Sequence, residues 1–273
     1  MPEPRKLPRG WWRYVVPNLV TCLGIFFTVI SVEAAVDGRP IEAAWWGLLV
    51  VLTDKADGFF AVRLRGASEF GVQLDSLTDV IAFGLVPGVV VYGFFSTRPE
   101  LGWTEGVRPW VLRGICGLYT ITAALRLARF NVAAQSGPKK YYSGVPTTVT
   151  AGILLALFLA VLKYSSPSLA RGESGSTLYV WSWLPVHLDT VLPFFPLLLP
   201  FGSWGMLSGI RIHKLGRTKH RVTDVLLLSV VLVGYVLAII RRMPEICGAG
   251  ALGYVLFATF RQFTRKPDPA PPV

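Results

Sequence analysis

Apolar residues in this chain do not keep the two-residue beat of a half-buried strand; they run in blocks of about 20, broken by short polar turns. Blocks of that length predict helices that cross a hydrocarbon core, and eight are expected, at residues 14–35, 41–62, 71–95, 109–133, 145–164, 192–210, 222–240 and 243–260. The predicted fold is all-α: a polytopic integral membrane helical bundle of about eight transmembrane helices. The sixth block contains Pro193, Pro196 and Pro200, which remove backbone donors, so a broken or partly interfacial segment is expected there. Three regions follow: a basic N-terminal segment at 1–13, a membrane domain at 14–260, and a disordered Pro-rich tail at 261–273.

Charge gives the blocks a direction. Of the 27 Lys and Arg residues, sixteen fall on the N-terminal side of the first block and on the alternate loops that share its side. Eight fall on the opposite side, Arg113 and Lys163 among them at the span ends there, and Lys55, Arg126 and Arg129 lie deeper inside spans. Short cytoplasmic loops collect basic residues, so both termini are expected in the cytoplasm. No small-residue cleavage site follows the basic start, and the first block reads as a retained span. Trp11, Trp12, Trp103, Trp110, Trp181 and Trp183 fall near the predicted interfaces, and the longest polar loop, 165–189, faces outward. The net charge of +11 flanks apolar runs and forms no compact patch interleaved with aromatics, so no nucleic-acid partner is expected. Cys22, Cys116 and Cys247 lie far apart in apolar stretches and indicate neither a disulfide framework nor a metal cluster. His187, His213 and His220 have no ligand spacing and take no role.

The chemistry lies in the acids. Four of the 16 acidic residues, Asp54, Asp57, Asp75 and Asp79, fall inside or at the inner ends of the second and third blocks. An Asp at the centre of an inserting helix costs about 2.5 to 3.5 kcal/mol, so such residues need water, a partner or an ion. Lys55 projects about 100° away from Asp54 around a helix and is a poor internal partner. Asp54, Asp57, Gly58 and Ala61 recur at i, i+3, i+4 and i+7, and Gly71, Asp75 and Asp79 at i, i+4 and i+8; each set forms one helical face. A short connection makes the two helices antiparallel neighbours whose acidic faces can meet. Such hard oxygen ligands suit Mg²⁺, Mn²⁺ or Ca²⁺. The small Gly58 and Ala61 leave room for a phosphorylated ligand. By spacing alone the same acids also fit a cation pathway or a structural polar network.

The window from Asp54 through Asp57-Gly58, Ala61, Gly71 and Asp75 to Asp79 closely resembles the signature of the CDP-alcohol phosphatidyltransferases, with every spacing kept and seven of its eight residues present. The departure is Val62, where the family pattern carries an arginine; Arg63 and Arg65 lie nearby but project from other faces. The runs Glu69–Asp79, Phe83-Gly84 with Pro87, and Arg126-Leu127-Ala128-Arg129-Phe130-Asn131 are similar to those of bacterial and archaeal phosphatidylserine synthases. Pro17-Asn18 with Thr21, Gly144-Val145-Pro146 and Ser208-Gly209-Ile210-Arg211 follow that pattern in outline.

The resemblance implies a six-helix family core plus extra spans, in the cytoplasmic membrane, with its active site facing the cytoplasm. It implies transfer of the phosphatidyl group from CDP-diacylglycerol to L-serine, giving phosphatidylserine and CMP. Asp54, Asp57, Asp75 and Asp79 would hold two divalent cations, Mg²⁺ or Mn²⁺, with Ca²⁺ as inhibitor or occupant, and Asp79 would be the general base. Gly58, Ala61, Gly71, Asn18 and Thr21 would surround the CDP and phosphate groups. Arg126, Arg129 and Asn131 would recognise the acceptor or a phosphate; the arginines' alternative is a structural pairing with the aspartates or helix-end carbonyls. Membrane lipids are expected partners, and a homodimer is expected by family analogy. The alternatives are the same chemistry on glycerol 3-phosphate or an inositol phosphate, a cation transporter, or a silent lipid-binding relative.

Overall fold

The computed structural model describes residues 12–64, 68–135, 141–165, 188–209 and 211–213, with isolated residues 236, 246, 248–250 and 252–253. Its helices are α1 (Trp12–Val36), α2 (Pro40–Leu64), α3 (Glu69–Asp79), α4 (Val86–Ser96), α5 (Arg108–Gln135), α6 (Thr147–Lys163) and α7 (Leu198–Leu207). A π-helical turn, Val80–Leu85, joins α3 to α4. Among the described residues, three helical stretches are long and apolar enough to cross a membrane: Trp12–Val36, the continuous Glu69–Ser96, and Arg108–Val132. At 1.5 Å per residue each exceeds the roughly 30 Å hydrocarbon core. The blocks predicted at 145–164 and 192–210 form shorter apolar helices, Thr147–Lys163 and Leu192–Leu207. The second of these begins as a 3₁₀ helix, Leu192–Leu197, with Pro196 inside it, the interruption its prolines predicted. The two spans predicted at 222–240 and 243–260, the loop at 166–187, the start at 1–11 and the tail lie wholly or largely outside the described residues.

α1 shows how a bilayer inverts the usual pattern. Its inward stripe is Thr21, Gly24, Thr28, Ser31 and Ala35, all buried, while Leu19, Leu23, Phe26 and Val29 face outward. Lipid solvates large apolar side chains as well as a protein core does, so small residues that admit close backbone approach gain most at the helix interface. The inward hydroxyls satisfy themselves. Thr21 donates to the Pro17 carbonyl at 3.1 Å, Thr28 to Gly24 at 2.8 Å, and Ser31 crosses to the Ala43 carbonyl of α2 at 2.7 Å. A Cβ on Gly24 would stand 3.2 Å from Thr53 Oγ1, and one on Gly47 2.8 Å from Leu155. In the turn between α1 and α2, Arg39 donates to Asp37 and Glu42. These two carboxylates, Asp37 first, raise its pKa above the ordinary value.

The π turn has a legible cause. Pro87 has no N–H with which to close an α-helical bond to the Phe83 carbonyl, and its ring would crowd that carbonyl. The chain takes one extra residue into the turn instead, and Val86 N–H donates five residues back, to Ile81. α5 supplies donors there: Tyr119 donates to the Phe83 carbonyl at 3.1 Å, and the one proton of Thr120 Oγ1 is shared between the carbonyls of Gly84 at 3.0 Å and Cys116 at 3.2 Å.

One short ribbon accompanies the helices among the described residues. β1 (Tyr141–Ser143) and β2 (Arg211–His213) pair antiparallel, with Tyr141 opposite His213 and Ser143 opposite Arg211. Loop backbone at the ends of spans still needs hydrogen-bond partners, and here two loops supply each other. Beside the ribbon, Gly144 has φ +79° and a Cβ there would run into the Met206 carbonyl, so a residue without one is required. Val145 N–H donates to the Gly205 carbonyl at 3.0 Å. The end of α7 and the start of α6 therefore share one pole of the bundle. At the other pole, Trp103 donates to the Pro193 carbonyl at 2.7 Å, and Phe94, Phe158 and Phe195 stack edge to face.

Candidate functional site

Asp54 on α2 and Asp75 and Asp79 on α3 come together, with one carboxylate oxygen of each within 4.8 Å of the others. The i, i+4 spacing puts Asp75 and Asp79 on one stripe of α3, and all three residues are half-buried. Ionised carboxylates at about 5 Å repel one another by about 3 kcal/mol per pair at an effective dielectric constant of 20, so the cluster favours a bound cation. The spacing fits a hard divalent ion. Oxygens on opposite sides of Mg²⁺ stand roughly 4.1 Å apart and those across Ca²⁺ about 4.8 Å. Asp57, Gly58 and Ala61 continue α2 by one and two turns; their side-chain surroundings, like those of Val62, lie outside the described residues.

The start of α3 is held against α1. Ser68 caps the helix by accepting from Gly71 N–H at 3.0 Å, which satisfies one of its open donors. A Cβ on Gly71 would meet Asn18 Oδ1 at 2.8 Å, so Gly71 brings Asn18 directly alongside the acidic helix. Thr21, one turn further along α1, is buried, and its hydroxyl donates to the Pro17 carbonyl.

The two arginines of α5 part company. Arg126 is 6% exposed and its Nη1 donates to Thr147 Oγ1, the first residue of α6, at 3.4 Å, whereas Arg129 is exposed. A three-residue step rotates by about 300°, so neighbours on one side of a helix can still face inward and outward. Asn131 Nδ2 donates to Ser76 Oγ at 3.0 Å, and that hydroxyl donates in turn to the Val72 carbonyl at 2.9 Å. Asn131 is thus tied to α3 between Asp75 and Asp79. Neither Ser76 nor Thr147 is singled out by the sequence. Ser76 stands inside the acidic window, but nothing in the spacing links it to a residue 55 positions away.

Fold and cluster together define a helical membrane protein whose neighbouring helices present a carboxylate site at one pole. Residues 14–187 match the family model for CDP-alcohol phosphatidyltransferase, and the chain belongs to that family. It is similar to a CDP-diacylglycerol–serine O-phosphatidyltransferase of Helicobacter pylori, at 30% identity over 151 residues, which cover 55% of this chain and 60% of the relative. It is 26% identical over 199 residues to the protein of that name from Mycobacterium tuberculosis, covering 68% of this chain and 66% of the relative. An archaetidylserine synthase of Methanothermobacter thermautotrophicus is 32% identical over 147 residues, 53% of this chain and 58% of the relative. The chain thus spans about 60% of the length of the Helicobacter relative.

Proposed function

We propose that this protein transfers the phosphatidyl group of CDP-diacylglycerol to the hydroxyl of L-serine, releasing CMP. The observation that carries the proposal is the convergence of Asp54, Asp75 and Asp79 within 4.8 Å, in a chain of this family whose relatives bear serine-transferase names. Asp54, Asp57, Asp75 and Asp79 would hold Mg²⁺ or Mn²⁺, two ions in all. When bound, divalent ions would neutralise diphosphate charge and so favour approach of a nucleophile. Asp79 takes the proton from the serine hydroxyl as its oxygen bonds to the phosphorus bearing diacylglycerol. The bond from that phosphorus to the bridging oxygen breaks, and CMP leaves with the electron pair. Gly58, Ala61, Gly71, Asn18 and Thr21 surround the nucleotide and phosphates. Arg126 recognises the serine carboxylate or the lipid phosphate, helped by Arg129 and Asn131.

The pole carrying the cluster faces the cytoplasm, in a bundle of about eight spans with both termini inside. Supporting this orientation, the β1–β2 ribbon joins two loops on which basic residues concentrate. The membrane domain runs over residues 14–260, and the protein works as a homodimer among membrane lipids.

The test is CMP release from CDP-diacylglycerol by purified protein with Mn²⁺ or Mg²⁺, comparing serine, glycerol 3-phosphate and inositol phosphate, alongside Asp79→Asn. Serine-dependent release that falls at least 100-fold in the variant is expected, within the range that one acid–base group contributes. Release with another alcohol only would change the product assigned, and none with any alcohol would leave a metal-binding relative without turnover.

A further inference from the structure

We propose that Tyr119, Thr120 and Pro87 are positioning residues that set the direction in which Asp75 and Asp79 face, acting through the π turn between α3 and α4. This rests on the reading that Asp54, Asp75 and Asp79 form a metal site. The turn begins at Val80, immediately after Asp79. α4 and the turn are anchored on α5 by contacts that admit no bulk: a Cβ on Gly84 would stand 3.1 Å from Ala123 Cβ, and one on Gly88 3.3 Å from the Cys116 carbonyl. That anchor fixes the rotation of everything C-terminal to the turn. A π turn carries one residue more than an α turn, so it changes the phase between the two halves by about 100°. If the turn relaxed to α geometry with Gly84 and Gly88 still seated on α5, the stripe bearing Asp75 and Asp79 would rotate away from Asp54.

Three features hold the extra residue in place. Pro87 withholds the N–H that an α turn needs. Tyr119, fully buried, donates to the Phe83 carbonyl, and Thr120 shares its one hydroxyl proton between the carbonyl of Gly84 and, at the slightly longer distance, that of Cys116 on its own helix. In a bilayer each open carbonyl is costly, so donors placed to meet these carbonyls in the π form stabilise it.

The experiment is Mn²⁺ titration of detergent-purified protein, followed by paramagnetic resonance of the free ion, with thermal unfolding and serine kinetics on the same samples. Pro87→Ala restores an α-helical donor and should keep or raise the melting temperature while weakening Mn²⁺ affinity about tenfold. Tyr119→Phe combined with Thr120→Val should weaken Mn²⁺ to a similar degree and lower kcat more than it changes the KM for serine; Thr120→Ser, which keeps the donor, should behave as wild type. Thr28→Val, which removes a buried hydroxyl from a helix carbonyl elsewhere, should leave Mn²⁺ affinity unchanged. Should the double variant not fold, Pro87→Ala and Thr120→Val alone decide the matter. Wild-type affinity in folded Pro87→Ala and Thr120→Val overturns the proposal, as does equal weakening by Thr28→Val. Wild-type protein that titrates like Asp75→Asn overturns the metal reading itself, and the positioning role with it.

Discussion

Arg126 is the residue whose surroundings most constrain its chemistry. It is buried, and Nη1 reaches Thr147 at the start of α6, so its guanidinium is held at the junction of two helices at the pole of the carboxylate cluster. Lysine there keeps the charge and loses the planar fork that grips a carboxylate or phosphate with two parallel bonds. Arg126→Lys is expected to raise the KM for serine at least tenfold with a smaller change in kcat; an unchanged KM in initial-rate kinetics would remove the serine carboxylate as its partner. Its place inside an apolar block is legible from the sequence because a charge there is costly. The acidic window is legible for the same reason, with helical spacing adding that Asp75 and Asp79 share a stripe. The tie from Asn131 to Ser76 is not legible. It depends on the rotation of two helices about their own axes, and a local pattern does not fix that rotation.

Among the elements, block length predicts where helices run, and small residues determine how closely they pack. Gly47 and Gly114 make a matched pair. A Cβ on Gly47 would lie 2.8 Å from Leu155 and 3.1 Å from Val86, whereas nothing stands within 4 Å of one on Gly114. Gly47→Val should overpack the junction of α2, α4 and α6 and cost about 1–3 kcal/mol. Gly114→Ala should be neutral or gain about 0.5–1 kcal/mol from reduced backbone entropy in the unfolded chain. Thermal unfolding of the two variants in detergent checks the contrast, and equal shifts would mean that close approach at Gly47 contributes nothing. Hydropathy could not distinguish these glycines, because both lie in apolar blocks. It also missed the phase change in the third block, which reads as one unbroken span; Pro87 was the available cue, and the hydroxyls that satisfy the freed carbonyls lie 36 residues along the chain. The β1–β2 ribbon was hidden for a related reason, since its two three-residue strands come from separate loops.

At the scale of the whole molecule the contacts sort the described chain into two poles. Asn18 beside Gly71, the carboxylate cluster, Arg126 with Thr147 and the ribbon share one pole, while Arg39, Trp103 with Pro193 and the phenylalanine stack belong to the other. The proposed orientation of the poles rests on charge, because sixteen basic residues fall on segments assigned to the cluster's side and eight on the other. The anionic inner leaflet attracts basic segments, at about 1 kcal/mol per residue near the surface, and the same field would concentrate an anionic liponucleotide beside the cluster. Impermeant maleimide labelling of intact cells tests this orientation, in a background where Cys22, Cys116 and Cys247 are replaced by alanine. Glu105→Cys, on an exposed loop at the pole away from the cluster, is expected to label in intact cells, and Lys140→Cys, one position before Tyr141 in the sequence, only after the membrane is opened. The reverse pattern would put the cluster outside, away from cytoplasmic serine, and the serine-transferase reading would lose its supply of acceptor even with the carboxylate geometry intact. Labelling of both positions in intact cells would instead mean that the two poles do not lie on opposite sides of the bilayer, and the antiparallel span order inferred from the blocks would have to be redrawn.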